Sequence, residues 1–185
     1  RTQEMRNNFD VSMIIVSLNA EMYIVRAIKS LMLQGFSKEL FEIIVVDGDS
    51  TDRTVALSKS ILEKNSINYQ IINNEKKILS TGWNLGLKAA KGKYVIRIDA
   101  HSEIQPGYIE TGISKIENNP KLAGVGGVLR TSSSSFISDR IAAVLSSKIG
   151  VGNSLFRIGV KEDTISDTAV YAVYKREIFQ LLGFF

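Results

Sequence analysis

Four short runs rich in isoleucine and valine, residues 11–16, 42–46, 69–72 and 94–98, set the terms on which this chain can fold. Their apolar positions are mostly continuous. A strand with one wet face alternates, whereas a continuous run belongs to a strand covered on both faces, as in a parallel sheet. Helical periodicity fills the gaps between the runs. Residues 21–34 put Ile24, Ile28 and Leu31 on one face, with Gly35 as a stop. Residues 51–64 follow Asp49-Ser50, both good capping types. Residues 81–91 carry Trp83, Leu87 and Ala90 on one side, with Gly92 as the stop, and residues 106–118 open with proline in the first turn. The order βαβαβαβα predicts an α/β fold with a doubly wound, mostly parallel sheet and helices on both faces. Ligands in such sheets sit at the carboxyl ends of the strands. Here those ends are residues 17–21, 47–52 and 99–103.

The second half of the chain is less periodic. Residues 131–135 are a serine run and predict a loop, 136–148 a helix, and 150–165, with three glycines, a loop. Residues 168–174 read as a strand and 175–182 as a helix. The length of 185 residues suits one domain over 11–185 behind a polar extension at 1–10. Lysine and arginine number 23 against 19 acidic residues, a net charge of +4. That suits an anionic ligand or membrane surface, but it also fits a plain solvated surface. No basic stripe interleaves with aromatics, so a nucleic-acid partner is not expected. The chain has no cysteine, which excludes disulfide scaffolds, thiol nucleophiles and Fe–S sites. No apolar run reaches the roughly 18 residues of a membrane span, and no signal-peptide core or Asn-x-Ser/Thr sequon occurs. A cytoplasmic location is expected. The missing initiator methionine and the abrupt Gly183-Phe184-Phe185 read as signs of a fragment.

Common phosphate motifs are missing: no G-x-G-x-x-G follows a strand, and no G-x-x-x-x-G-K-[ST] occurs. Three polar constellations stand instead at the expected ligand edge. The first is Asp47-Gly48-Asp49-Ser50-Thr51-Asp52, where Asp47 ends a strand and suits a base or ribose contact. Asp49, Ser50 and Asp52 are better read as helix caps. The second is Asp99-Ala100-His101, two ligand types leaving one strand end and able to converge on a cation. His101 is the single histidine of the chain, and Glu103 nearby reads as surface. The third is Gly82-Trp83-Asn84, where Trp83 suits the core and Asn84 is an unusual residue for a helix interior.

These segments resemble the family-2 glycosyltransferases, which have the GT-A fold. The likeness is carried by V-S-M-I-I-V-S-L-N-A-E at 11–21, E-I-I-V-V-D-G-D-S-T-D-R-T at 42–54, G-W-N-L-G-L-K-A-A-K-G-K-Y-V-I-R-I-D-A-H at 82–101, and A-V-Y-A-V-Y-K-R-E-I-F-Q-L-L-G-F-F at the end. The Asp-Ala-His form with Gly-Trp-Asn upstream is most similar to the branch of succinoglycan-type exopolysaccharide transferases. The resemblance implies transfer of a sugar from a nucleotide-diphosphate donor, UDP-sugar by default, to a saccharide or lipid-linked saccharide acceptor. It also implies inversion at the sugar carbon and peripheral association with the inner face of the plasma membrane. Ser17, Asn19, Glu21, Asp47, Asn84 and Asp99 match nucleotide-sugar-binding positions, and Asp99 with His101 matches the D-x-D metal site.

Three departures from the family pattern matter. Val16 and Leu18 replace a frequent proline and tyrosine, which removes a stacking ring. Trp83 replaces a frequent arginine, which removes a phosphate contact. His101 replaces the second aspartate, and imidazole suits a transition metal, so Mn²⁺ is expected over Mg²⁺. The family's usual base lies beyond residue 185. Asp167 is the candidate within the chain, and a turn or cap at a strand start explains it equally well. The expectation is a fragment that binds nucleotide-sugar and transfers it poorly or not at all. Two other readings compete: a non-catalytic nucleotide-sugar-binding module, and a sugar nucleotidyltransferase. The second is disfavoured because residues 18–21 lack glycine and a basic residue.

Overall fold

The computed structural model describes residues 9–127 and 170–184. The chain divides into two compact units, Arg1–Gly124 with Val173–Phe185, and Val125–Ala172. The second is described only at its two ends. The expected elements at 131–135, 136–148 and 150–165, the start of the 168–174 strand, and Asp167 lie outside the described residues, as does nearly all of the N-terminal extension.

The four apolar runs are the four parallel strands β1 (Val11–Ser17), β2 (Phe41–Asp47), β3 (Asn68–Asn73) and β4 (Tyr94–Asp99). Helices α1 (Ile24–Met32), α2 (Thr54–Lys64) and α3 (Leu79–Ala89) connect them, and α4 (Tyr108–Asn118) follows β4. Two short strands, β5 (Gly124–Val125) and β6 (Val173–Lys175), and helix α5 (Glu177–Leu182) complete the described residues. The sheet order is β3-β2-β1-β4-β6-β5, with β6 antiparallel to β4. Chain order therefore reverses between β1 and β4, and a crevice opens at the carboxyl ends of strands that diverge in this way.

Both faces of β1 and β2 are buried, as their continuous apolar runs require. On one face Ile14, Ile44, Val46 and Val95 pack with Trp83 and Leu87 of α3 and Phe179 of α5. Trp83 meets the Phe179 ring edge-on at 5.8 Å, so it belongs to the core. The alternate residues Met13, Ile15, Ile43, Val45, Ile96 and Ile98 point to the other face and are fully buried too.

Two serine–carboxylate pairs join β1 to β2. Ser12 donates to Glu42 at 2.7 Å near the amino end, and Ser17 donates to Asp47 at 2.9 Å at the carboxyl end. Glu42, buried without a cation, also accepts from the Lys91 amide (2.8 Å) and the Gln70 carboxamide (3.1 Å). Among the described residues every one of its partners is a neutral donor, which is how a buried carboxylate is tolerated.

Helix boundaries differ from the sequence expectation in ways the side chains explain. α2 begins at Thr54 rather than residue 51: Ser50 Oγ turns to Asp47, and Asp52, with one oxygen on the Glu21 amide, gives the other to the amide and hydroxyl of Thr54. α4 begins at Tyr108, with Gly107 left-handed (φ 78°) ahead of it, so Pro106 precedes the helix instead of filling its first turn. α3 ends at Ala89, and Gly92 is no helix stop: its backbone passes under β1. A Cβ on Gly92 would lie 2.5 Å from the Ser12 nitrogen and 2.6 Å from the Val11 carbonyl carbon. Neither atom can yield without breaking the sheet. We expect Gly92→Ala to lower unfolding stability by about 1–3 kcal/mol in urea titration, since overpacking against backbone has no relaxed solution. An unchanged midpoint would contradict this packing.

Candidate functional site

At the β1/β4 divergence lies a cavity of about 760 Å³. Its walls come from the end of β1 (Ser17 to Ala20), the end of β4 (Asp99, Ala100, His101), and the stretch after β3 (Asn74, Lys77, Ile78, Leu79). Leu18, Tyr23, Ile78 and Leu79 contribute apolar surface, and each is about half exposed. Side chains of this kind left uncovered around one cavity suit a flat apolar ring.

Asp47 organises the floor. Its side chain is 3% exposed, and its carboxylate accepts three hydrogen bonds: from Ser17 Oγ (2.9 Å), Ser50 Oγ (2.7 Å) and the Ser50 amide (2.7 Å). Its carbonyl accepts the Asn74 amide at 2.7 Å. One residue thus ties together the β1, β2 and β3 exits.

The loops after β1 and β2 are then zipped to each other. The Asn19 amide donates to Ser50 Oγ (2.8 Å), and Asn19 Oδ1 accepts the Thr51 amide (2.9 Å). The Ala20 amide donates to Thr54 Oγ1 (2.7 Å) and the Glu21 amide to Asp52 Oδ2 (3.0 Å), while Glu21 Oε2 accepts from the Arg53 amide and Nε (3.1 Å each). Asn19 (φ 47°) and Asp49 (φ 62°) take left-handed backbone, which their short polar side chains tolerate. Asp52 also accepts from the Thr54 amide and hydroxyl. Desolvation pushes its pKa up, but the Thr54 hydroxyl and the Glu21 and Thr54 amides outweigh it and hold the carboxyl below its ordinary range. The cap residues expected at 49, 50 and 52 therefore build the loop–loop junction more than they cap α2.

Asp99 and His101 leave β4 through a tight turn in which the Ser102 amide donates to the Asp99 carbonyl (2.9 Å). The Ala100 amide binds the Val16 carbonyl (3.2 Å) and fixes this turn to β1. Farther along, Glu103 pairs with Arg26, and the Gln34 carboxamide donates to the Gln105 carbonyl at 2.9 Å, so α1 holds the loop from outside. The Arg97 guanidinium lies 4.0 Å from Asp99 Oδ1.

Of the residues singled out from sequence, Ser17, Asn19, Asp99 and His101 come together on the cavity wall. Asp47 lies beneath it and Glu21 turns to Arg53. Asn84 is half-buried on α3 and does not line the cavity. Tyr23, Asn74, Lys77, Ile78 and Leu79 line it and were not foreseen. The segment 74–79 carries no strand or helix pattern that would have aimed it, although Asn74-Glu75-Lys76-Lys77 directly follows a run that reads as a strand.

Asp99 and His101 offer one carboxylate and one imidazole. Among the described residues no third His, Cys, Asp or Glu joins them in a metal-binding group. Two donors fit a divalent cation only when a ligand supplies the remaining oxygens. No described helix is long and apolar enough to cross a membrane.

The family model for glycosyl transferase family 2 matches residues 12–183. A dolichyl N-acetyl-alpha-D-glucosaminyl phosphate 3-beta-D-2,3-diacetamido-2,3-dideoxy-beta-D-glucuronosyltransferase of Methanococcus voltae is 30% identical over 175 residues, 92% of this chain and 54% of that protein. The crystal structure of S. aureus TarS 1-349 in complex with UDP-GlcNAc superposes with a TM-score of 0.69 at 21% identity, covering 94% of this chain and 47% of that one. The mannosyltransferase PcManGT from Pyrobaculum calidifontis, in complex with GDP-Man and Mn²⁺, gives 0.69 at 20% identity, covering 96% and 48%. The chain thus spans about half the length of these proteins.

If Asp47 acts by tying the strand exits together, Asp47→Ala should cost about 1–3 kcal/mol of stability, because two serine donors lose their acceptor. Ligand affinity should fall with it. Loss of affinity at unchanged stability would mark Asp47 as a direct ligand contact instead.

Proposed function

The chain belongs to glycosyl transferase family 2 and has the GT-A fold; from that premise we propose that it binds a nucleotide-diphosphate sugar in the cavity between β1 and β4 and serves its transfer to a hydroxyl acceptor. The observation that carries this reading is the convergence of Ser17, Asn19, Asp99 and His101 on one cavity at the strand-order reversal. UDP-sugar is the donor of first choice, and a saccharide or lipid-linked saccharide is the acceptor. Solved relatives with UDP-GlcNAc or with GDP-Man support a nucleotide-sugar and leave both nucleotides to be tested.

The apolar group of Leu18, Tyr23, Ile78 and Leu79 receives the base, and the polar β1 exit receives the ribose. Asp99 and His101 would hold a divalent cation jointly with the diphosphate. When bound, that cation neutralises the negative charge that develops on the leaving diphosphate. Asp47 and Glu21 act as positioning residues, because their carboxylates are turned to neighbouring loops. Asn84, which does not line the cavity, is assigned to the diphosphate side by the resemblance alone.

Inverting transfer needs a base on the acceptor side of the sugar. Among the described residues of the cavity wall Asp99 is the sole carboxylate, and it serves the diphosphate. Asp167 is the base candidate within this sequence. The alternative, binding without transfer, draws on the same observation. We place the protein at the cytoplasmic face of a membrane, in polysaccharide or glycolipid assembly of the exopolysaccharide type.

Calorimetric titration of UDP and GDP with Mn²⁺, Mg²⁺ or chelator tests the site. One nucleotide should bind more tightly with Mn²⁺ than with Mg²⁺. His101→Ala should weaken binding in Mn²⁺ by about tenfold, roughly 1.4 kcal/mol. Equal behaviour of the two metals, or an unaffected variant, would remove His101 from the metal site. Sugar transfer by this chain, lost in Asp167→Asn with donor binding intact, would establish Asp167 as the base. Transfer unaffected by that substitution would exclude it.

A further inference from the structure

Lys77 is the sole lysine or arginine among the described residues that line the cavity, yet its charge is engaged elsewhere. Its Nζ lies 3.0 Å from Asp49 Oδ2, and Asp49 is outside the cavity wall. Both side chains are about half exposed or more, at 48% and 63%. The backbone beneath Lys77 is firmly set. It is left-handed (φ 55°), which is uncommon for lysine. Asn74 maintains it: the Asn74 carbonyl accepts the Lys77 amide (2.9 Å), and the Asn74 carboxamide, 2% exposed, donates to the Ile78 carbonyl (2.9 Å). A fixed backbone therefore presents a long side chain whose anchor is one solvent-exposed ion pair. Such pairs are weak and salt-screened. Phosphate oxygens carry denser charge than one carboxylate and form stronger charge-assisted hydrogen bonds.

We infer that Asp49 and Lys77 form an exchangeable latch. In the free chain the pair joins the loop after β2 to the loop after β3. When a nucleoside diphosphate enters, Lys77 leaves Asp49 and binds the diphosphate oxygens. This rests on the nucleotide-binding reading above and adds a regulator to it. Asp49 competes with the ligand for one cation, and so sets affinity without touching the ligand.

The test is a double-mutant cycle read by calorimetry, with Mn²⁺ present throughout and at low and high salt. UDP, GDP, uridine and guanosine are titrated into the chain, Lys77→Met, Asp49→Asn and the double variant. Asparagine tolerates the left-handed backbone, methionine keeps the apolar stem, and thermal melts report folding of each variant. Lys77→Met should weaken binding of the diphosphate about tenfold, roughly 1.4 kcal/mol, and leave the nucleoside within about twofold. Asp49→Asn should tighten the diphosphate about two- to threefold at low salt, lose that gain at high salt, and have no effect once Lys77 is gone. Equal weakening by both single variants, or the same Asp49→Asn effect with and without Lys77, would overturn the latch and leave a mere loop brace. Should the unaltered chain bind neither UDP nor GDP, the nucleotide-binding reading falls and the latch with it. Nucleotide binding without coupling in the cycle sinks the latch alone.

Discussion

The Asp47 carboxylate is the interaction on which the rest of the site depends. Parallel strands end together at one edge of the sheet, and their exit loops have no ladder to pair with. Unless something else satisfies them, those backbone groups make the edge mobile. Asp47 accepts from the β1 exit through Ser17 and from its own loop through Ser50, and its carbonyl takes the Asn74 amide beyond β3. Ser50 carries the connection onward to Asn19, and Asp52 carries it to Glu21. The β1, β2 and β3 exits are therefore hung from one buried acid, and the β4 exit joins them through the Val16 carbonyl.

Most of the architecture was legible in the sequence. The four mostly continuous apolar runs became the four parallel strands; in β1 and β2 burial on both faces leaves no room for alternation, while β3 stands at the edge and is only half-buried. Among the described residues helix existence was legible too, from apolar positions at helical spacing. Helix starts were not, because Ser50 and Asp52 carry oxygens that can cap a helix or bind a neighbouring loop, and only the fold decides which. Pro106 misled similarly: its fixed φ suits a helix start, but the left-handed Gly107 delays the helix to Tyr108.

The site was half legible. Ser17, Asn19, Asp99 and His101 could be placed because they follow strand ends directly. Tyr23 and Lys77 could not, since a loop of irregular backbone gives no periodicity from which to project a side chain, and Leu79 opens α3 two residues ahead of the start expected from sequence. Asp47 was found for its position, but its position did not reveal its hydrogen-bond partners.

The paired serines and acids at the two ends of β1 and β2 have a consequence for folding fidelity. Two strands that are apolar throughout can slide past each other by a residue or two with little change in buried area, so hydrophobicity alone sets their alignment poorly. Ser12 with Glu42 and Ser17 with Asp47 are separated by the same interval on each strand. A shift of one residue would set Glu42 against Val11 or Met13 and Asp47 against Val16 or Leu18, taking both carboxylates from their serines at once. The pairs work as a ruler built into the sheet. They favour the one alignment in which the β1 and β2 exits finish level with each other.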